Sequence, residues 1–216
     1  MSIPTLVLLL DAIGVVAFAI TGALVASRQR MDITGFALLA IVTGVGGGTL
    51  RDVLLGALPV TWLLQPLPVA LCVVVACAVF AFAHVPRSRY AAVLWLDALG
   101  LAVFCTSGAR VALEHEASAF AAIVMGVITA TFGGIIRDVI GGEASVILRR
   151  EIYVTAALLG AGVFVALEAS GLAEELAAVG GFAAAFSLRA LAIARHWSLP
   201  RYRERGAVTD SRPYPD

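Results

Sequence analysis

Six charged residues stand where an apolar chain should carry none. Asp11, Arg51, Asp52, Asp97, Arg137 and Asp138 all lie inside long hydrophobic stretches. A charge at the centre of a membrane span costs about 2.5–3.5 kcal/mol even on the lenient insertion scale, so such residues pair with one another or mark an ion path. The two Arg-Asp pairs each follow glycines: Gly46, Gly47 and Gly48 in the first case, Gly133 and Gly134 in the second. Glycine costs a helix about 1 kcal/mol relative to alanine. The segment GVGGGTLRDVLLG therefore joins two things that a membrane helix tolerates poorly.

Several chemistries can be weighed against these residues. Asp11 and Asp97 are paired acids of the kind an intramembrane aspartyl protease uses, but such a dyad needs a specific backbone setting, and its GxGD motif is missing. A nucleotide site is not indicated, because the glycines lack the GK[ST] of a P-loop and are not a strand–turn–helix GxGxxG. No enzyme activity is expected. Passage of an ion or polar solute fits better. Glycines that loosen the second and fifth spans would free backbone groups, which cost several kcal/mol each in lipid unless protein or water receives them. Such breaks face a wet cavity, where carbonyls and half-helix ends meet an ion. Close helix packing is the competing role for the same glycines.

The elements that must position these groups are membrane spans. Of 216 residues, 61% are hydrophobic and 14% charged, and the mean hydropathy is +0.97. A soluble domain is nearer 45–50% apolar and about 25% charged, so the excess must face lipid. The formal net charge of zero leaves no basic footprint for nucleic acid. Cys72, Cys77 and Cys105 fall in apolar runs without CxxC spacing. They read as buried reduced thiols, with no disulfide and no metal site.

Seven apolar runs have spanning length: 3–26, 33–58, 67–85, 91–113, 118–141, 152–170 and 172–194. They are too long for barrel strands of about 10 residues, so the fold class is an all-α polytopic membrane bundle. The first run lacks a positive n-region and is too long for a signal-peptide core. Arginines gather on every second connection, and so on one side: Arg28 and Arg30, then Arg87 and Arg89, then Arg149 and Arg150, then the tail. The bias puts the N-terminus outside and the C-terminus in the cytoplasm of a plasma (inner) membrane protein. Residues 197–216, rich in Arg and Pro, read as a disordered cytoplasmic tail.

The chain repeats itself. LDAIGVVAFAITGA from Leu10 matches LDALGLAVFCTSGA from Leu96, and GGTLRDVLLG from Gly47 matches GGIIRDVIGG from Gly133, both at an offset of 86 residues. One register thus places Asp11 on Asp97, Arg51 on Arg137 and Asp52 on Asp138. Three spans per unit is an odd number, so the units 1–85 and 86–171 cross the membrane in opposite senses, with 172–196 as an added seventh helix. Neighbours in sequence stand about 100° apart on a helix and do not face each other. Each arginine therefore needs a partner elsewhere. Twofold exchange predicts Arg51 with Asp97 and Arg137 with Asp11, or else Arg51 held by Asp138 or hydrated in a pore. Arg189, in the last span, is expected to snorkel toward the cytoplasm.

The doubled GG…RD motifs on a three-plus-three inverted repeat with a seventh span resemble the prokaryotic trimeric intracellular cation channels, whose bacterial members also go under a glycine-transporter description. The resemblance runs from Leu6 to Ala194. It implies a homotrimer in the lipid bilayer with a pore in each protomer for K⁺ and Na⁺, and no cofactor beyond the permeant ion and room for a bound lipid. It also implies helices kinked at Gly46, Gly47, Gly48, Gly133 and Gly134 beside that pore. The Lys-Glu-Val signature of the animal members is absent, since the chain has no lysine. A secondary transporter of a small solute such as glycine shares the inverted-repeat plan and stands as the alternative.

Overall fold

A computed structural model describes residues 3–82, 89–143 and 152–197. The proposed tail from 198 onward, and Arg87, Arg149 and Arg150 of the arginine pattern, lie outside the described residues. Among the described residues eight helices follow one another: α1 (Ile3–Arg28), α2 (Ile33–Leu55), α3 (Thr61–Leu64), α4 (Leu67–Phe82), α5 (Arg89–Glu114), α6 (Ala119–Ile140), α7 (Val154–Ala169) and α8 (Glu174–Arg195). The one element absent from the run of apolar segments is α3, a single turn between α2 and α4. Five helices are long and apolar enough to cross a membrane, namely α1, α2, α5, α6 and α8, while α4 and α7 span 16 residues each. Side chains such as Val74 and Phe120 face outward, 65% and 78% exposed.

The packing is built on small residues. Alanines dominate the buried set, among them Ala19, Ala23, Ala102, Ala109 and Ala161. Lipid is as apolar as leucine, so helices gain most by bringing backbones together. α1 packs on α2 and α5, α5 on α6, and α2 crosses α6. The crossing sits at the glycines. A methyl on Gly47 would overlap the Thr129 carbonyl oxygen, and one on Gly133 would overlap the Thr43 carbonyl oxygen. The 86-residue offset turns the first contact into the second. Gly100 against Phe18 and Gly14 against Phe104 exchange in the same way, and the two phenyl rings meet with centroids 5.1 Å apart.

Two sequence expectations change here. The glycines do not interrupt the hydrogen-bonded helix: α2 is helical from Ile33 to Leu55 and α6 from Ala119 to Ile140. The backbone contact at the crossing offsets the weak helix propensity locally, so no carbonyl need be freed. The thiols also divide. Cys72 and Cys105 are buried but Cys77 is exposed, because five residues carry it about 140° round α4 from Cys72.

Outside the spans, Asp32 caps α2, accepting from the Gly35 amide at 2.9 Å and the Thr34 hydroxyl at 2.7 Å. The Gly35 bond foremost holds its carboxyl below the ordinary 3.8. Its contribution is present above that value and is lost as pH falls through the lowered folded one.

The three adjacent glycines are not equivalent. At Gly46 and Gly48 the atoms nearest an added methyl are 3.7 Å away, which is ordinary contact. Gly46→Ala and Gly48→Ala should leave thermal unfolding in detergent unchanged or slightly raised, since alanine favours a helix by about 1 kcal/mol. Gly47→Ala must push α2 off α6, with an overpacking cost of about 1–3 kcal/mol. Equal melting temperatures for the three variants would show that the crossing does not hold the two helices in close contact.

Candidate functional site

Two charge clusters lie toward opposite ends of the bundle, called inner and outer after the orientation that the arginine pattern predicts; the inner one is assembled by α1, α5 and α6. Arg137 lies one turn from the end of α6, and Asp97 lies two turns into the antiparallel α5, so the two meet at the same end of the bundle. Arg137 Nη1 donates to Asp97 Oδ1 at 2.7 Å and to the Thr21 hydroxyl of α1 at 2.9 Å. Its Nε donates to Asp138 Oδ1 at 2.9 Å. Thr21 donates its own proton to the Phe18 carbonyl at 2.7 Å. Arg137 is 0% exposed, Asp97 and Asp138 2% each. Two carboxylates on one guanidinium are what a charge needs at this depth, since burying it alone would cost several kcal/mol.

Tyr153, buried at the start of α7, completes this cluster. The space left by the absent side chain of Gly134 has Tyr153 Oη at 2.9 Å, Asp97 Oδ1 at 3.5 Å and Arg137 Nη2 at 3.6 Å. Gly134 therefore serves the polar cluster rather than a kink. On the far side of the ring the Arg189 guanidinium lies 5.2 Å from the centroid. Arg189 is 1% exposed, so it does not snorkel, because the tyrosine face and the Ile152 carbonyl, 3.5 Å away, receive it inside the protein. Arg28 Nη2 meets Glu143 Oε1 at 3.2 Å at the end of the bundle. With Tyr90, Asp97, Arg137 and Asp138 this pair encloses a cavity of about 10 Å³, about one water's worth of space.

The outer cluster uses the matching residues differently. Arg51 donates from Nε and Nη2 to Asp52 Oδ1 at 2.9 and 2.7 Å. Asp52 Oδ2 accepts from the Thr61 amide at 2.8 Å, tying α2 to the short α3. Asp11 stands 3.8 Å from Arg110 and lines a cavity with Ser107. Arg110 is also paired with Glu114 of its own helix and lies 3.9 Å from Glu174 of α8. A cavity of about 30 Å³ opens beside Asp11, Ser107 and Arg110, against Ala178 and Phe182 of α8.

These geometries correct the predicted partners. Arg51 does not meet Asp97, nor Arg137 Asp11, nor Arg51 Asp138. Both arginines bond the aspartate that follows them, because a side chain of this length folds back to reach a neighbour about 100° away. Arg137 then takes Asp97 from within its own repeat unit. Thr21 is legible as the partner of Ser107 at the 86-residue offset, whereas nothing in the local pattern singles out Tyr153.

A helical bundle with this hydropathy and with ion pairs buried inside its apolar helices is a multi-pass integral membrane protein. A sequence profile described as glycine transporter matches residues 8–84 and 94–169. The chain is 40% identical over 199 residues to the UPF0126 inner membrane protein YadS of Escherichia coli, covering 91% of this chain and 96% of that one. A UPF0126 membrane protein of Vibrio cholerae is 39% identical, over 92% and 83% of the two chains. Among solved structures, the trimeric intracellular cation channel (TRIC) orthologue of Rhodobacter sphaeroides is 57% identical, with a TM-score of 0.87 over 89% of this chain and all of that one. A prokaryotic TRIC channel solved in 0.5 M KCl is 31% identical, with a TM-score of 0.85, over 91% and 100%. The chain belongs to this family, the trimeric intracellular cation channels with their UPF0126 bacterial relatives.

Removing one member of the inner cluster strands the others. Asp97→Asn should destabilise the protein by about 3–5 kcal/mol, and Arg137→Gln added to it should recover part of the loss. A double-mutant cycle in thermal stability reads this coupling. Simple additivity would mean that the 2.7 Å bridge carries no net energy.

Proposed function

We propose that the chain is a cation channel of the plasma membrane, acting as a homotrimer in which each protomer holds its own pore. The observation that carries this is the 57% identity to the Rhodobacter sphaeroides channel orthologue along the whole of that chain. The permeant ions are K⁺ and Na⁺. The pore runs beside α2 and α6, with Gly46, Gly47, Gly48, Gly133 and Gly134 on its border. Thr43 and Thr129 sit at the crossing, and each donates its hydroxyl proton to the carbonyl four residues earlier, at 2.6 and 2.7 Å. Their oxygen lone pairs therefore remain as acceptors.

The reciprocal contacts of Gly47 with Thr129 and Gly133 with Thr43 support the inverted-repeat reading, with units 1–85 and 86–171. Residues 172–196 form the added helix. In this orientation α1 starts outside, the cluster around Arg137 lies toward the cytoplasm, and that around Asp11 and Arg51 lies toward the exterior. Cysteines placed at Ser2 and Ser211, in a background without the native three, should label from opposite sides. Labelling of both from one side would overturn the topology.

A carrier of a small solute such as glycine is the competing reading, favoured by the description of the matching profile. Purified protein in planar bilayers under asymmetric KCl should give unitary current steps and a reversal potential close to that of K⁺. Saturable glycine uptake without current steps would favour the carrier instead.

A further inference from the structure

The inner and outer clusters are built from corresponding residues, yet only one of them is closed. Arg51 and Arg137 take the same side-chain pose. Each sends Nε to its following aspartate at 2.9 Å. Each lays Nη2 over the glycine three residues back, 3.7 Å from an added methyl at Gly48 and 3.6 Å from one at Gly134. At the inner end Asp97 and Thr21 complete the set around Arg137. At the outer end the counterparts of those two residues are Asp11 and Ser107, which line one cavity but are not seated on Arg51. The side chain of Asp11 is 35% exposed, against 2% for Asp97.

What diverts Asp11 has no counterpart in the first repeat. Arg110 corresponds to Leu24. It reaches Asp11 at 3.8 Å and is itself steadied by Glu114 and by Glu174 of α8, at 3.9 Å. We propose that the outer end is a two-position latch, in which Asp11 exchanges between Arg110, its partner in this structure, and Arg51, which would hold Asp11 and Ser107 as Arg137 holds Asp97 and Thr21.

Magnitudes favour an exchange. A long, partly exposed ion pair is weak, so leaving Arg110 costs little. Arg51 is already posed, with 11% of its side chain exposed. In the second position α1, α2 and α5 are tied together at the outer end, as α1, α5 and α6 are at the inner end, and the 30 Å³ cavity beside Asp11 changes shape. The added helix thereby acquires a role in the latch. Through Glu174 it holds Arg110 on Asp11 and keeps the outer end open. This gating role rests on the channel reading, but the exchange itself does not.

The test uses the purified full chain. Arg51→Gln and Asp11→Asn are combined in a thermal-stability cycle, once in the native background and once with Arg110→Leu. The shifts in melting temperature should add in the native background. With Arg110→Leu they should fall clearly short of additive, because Arg51 and Asp11 then form the pair. K⁺ efflux from proteoliposomes should drop several-fold in Arg110→Leu and recover when Arg51→Gln is added. Glu174→Gln, which only frees Arg110 from α8, serves as a milder variant if Arg110→Leu does not fold, and should shift both readouts the same way. Additive shifts in both backgrounds, or equal coupling in both, would overturn the latch. A native protein without K⁺ efflux would count against the channel reading alone, since the stability cycle still decides the exchange.

Discussion

A guanidinium with no access to water fixes much of this structure. Arg137 must be neutralised where it lies, so two carboxylates and a hydroxyl have to reach it from fixed directions. That requirement sets the register of α5 on α6 through Asp97 and brings α1 to both through Thr21. Three helices are joined at one side chain. Its Coulomb energy is not a free gain, since desolvation can cancel it. The firmer consequence is that a packing which draws α1 or α5 away from α6 strips the charge of these partners.

Such convergence is possible only because the helices approach closely. The α2–α6 crossing puts a glycine of each helix against a threonine carbonyl of the other, with no side chain between them. Gly22 does the same for α1 on α2, where an added methyl would strike the Leu39 backbone, while Gly108 lets α5 close on α6 over the Thr129 side chain. In lipid this closeness substitutes for the hydrophobic drive that holds soluble helices together. The small residues and the buried charges are thus one design: the first bring the backbones near enough for the second to be shared.

Much of this is readable from the chain. The apolar runs place the seven longer helices to within a few residues, since spanning length and hydropathy act over whole segments. The Gly-Gly and Arg-Asp motifs name the groups that matter. Their partners are less legible. Adjacent residues fail to face each other only if side chains are treated as radial spokes. An arginine has enough bonds to fold back along its helix, and both Arg51 and Arg137 do so. Twofold symmetry suggests cross-repeat pairs, but Arg137 satisfies itself within its own unit and meets the other unit only through Thr21. Local propensity makes the glycines weak points of a helix, although their effect here is on what can touch it. Tyr153 and Arg189 recognise each other across two helices, and no periodicity in one segment carries that information.

The crossing also has a mechanical side. A contact of backbone on backbone has little side-chain slack, so α2 and α6 meet as stiff rods at a pivot. Helical rise is about 1.5 Å per residue. A tilt of about 5° about Gly47 would therefore swing Ile33, at the far end of α2, by about 1.8 Å. Arg51, one turn from the pivot, would move only about 0.5 Å. The same arithmetic applies to Gly133 and Arg137 on α6. The charged side chains sit on the short arms of two levers. A tilt that shifts the far ends of α2 and α6, at Ile33 and Ala119, moves the arginines several times less, so those two ends can swing while the ionic clusters stay assembled.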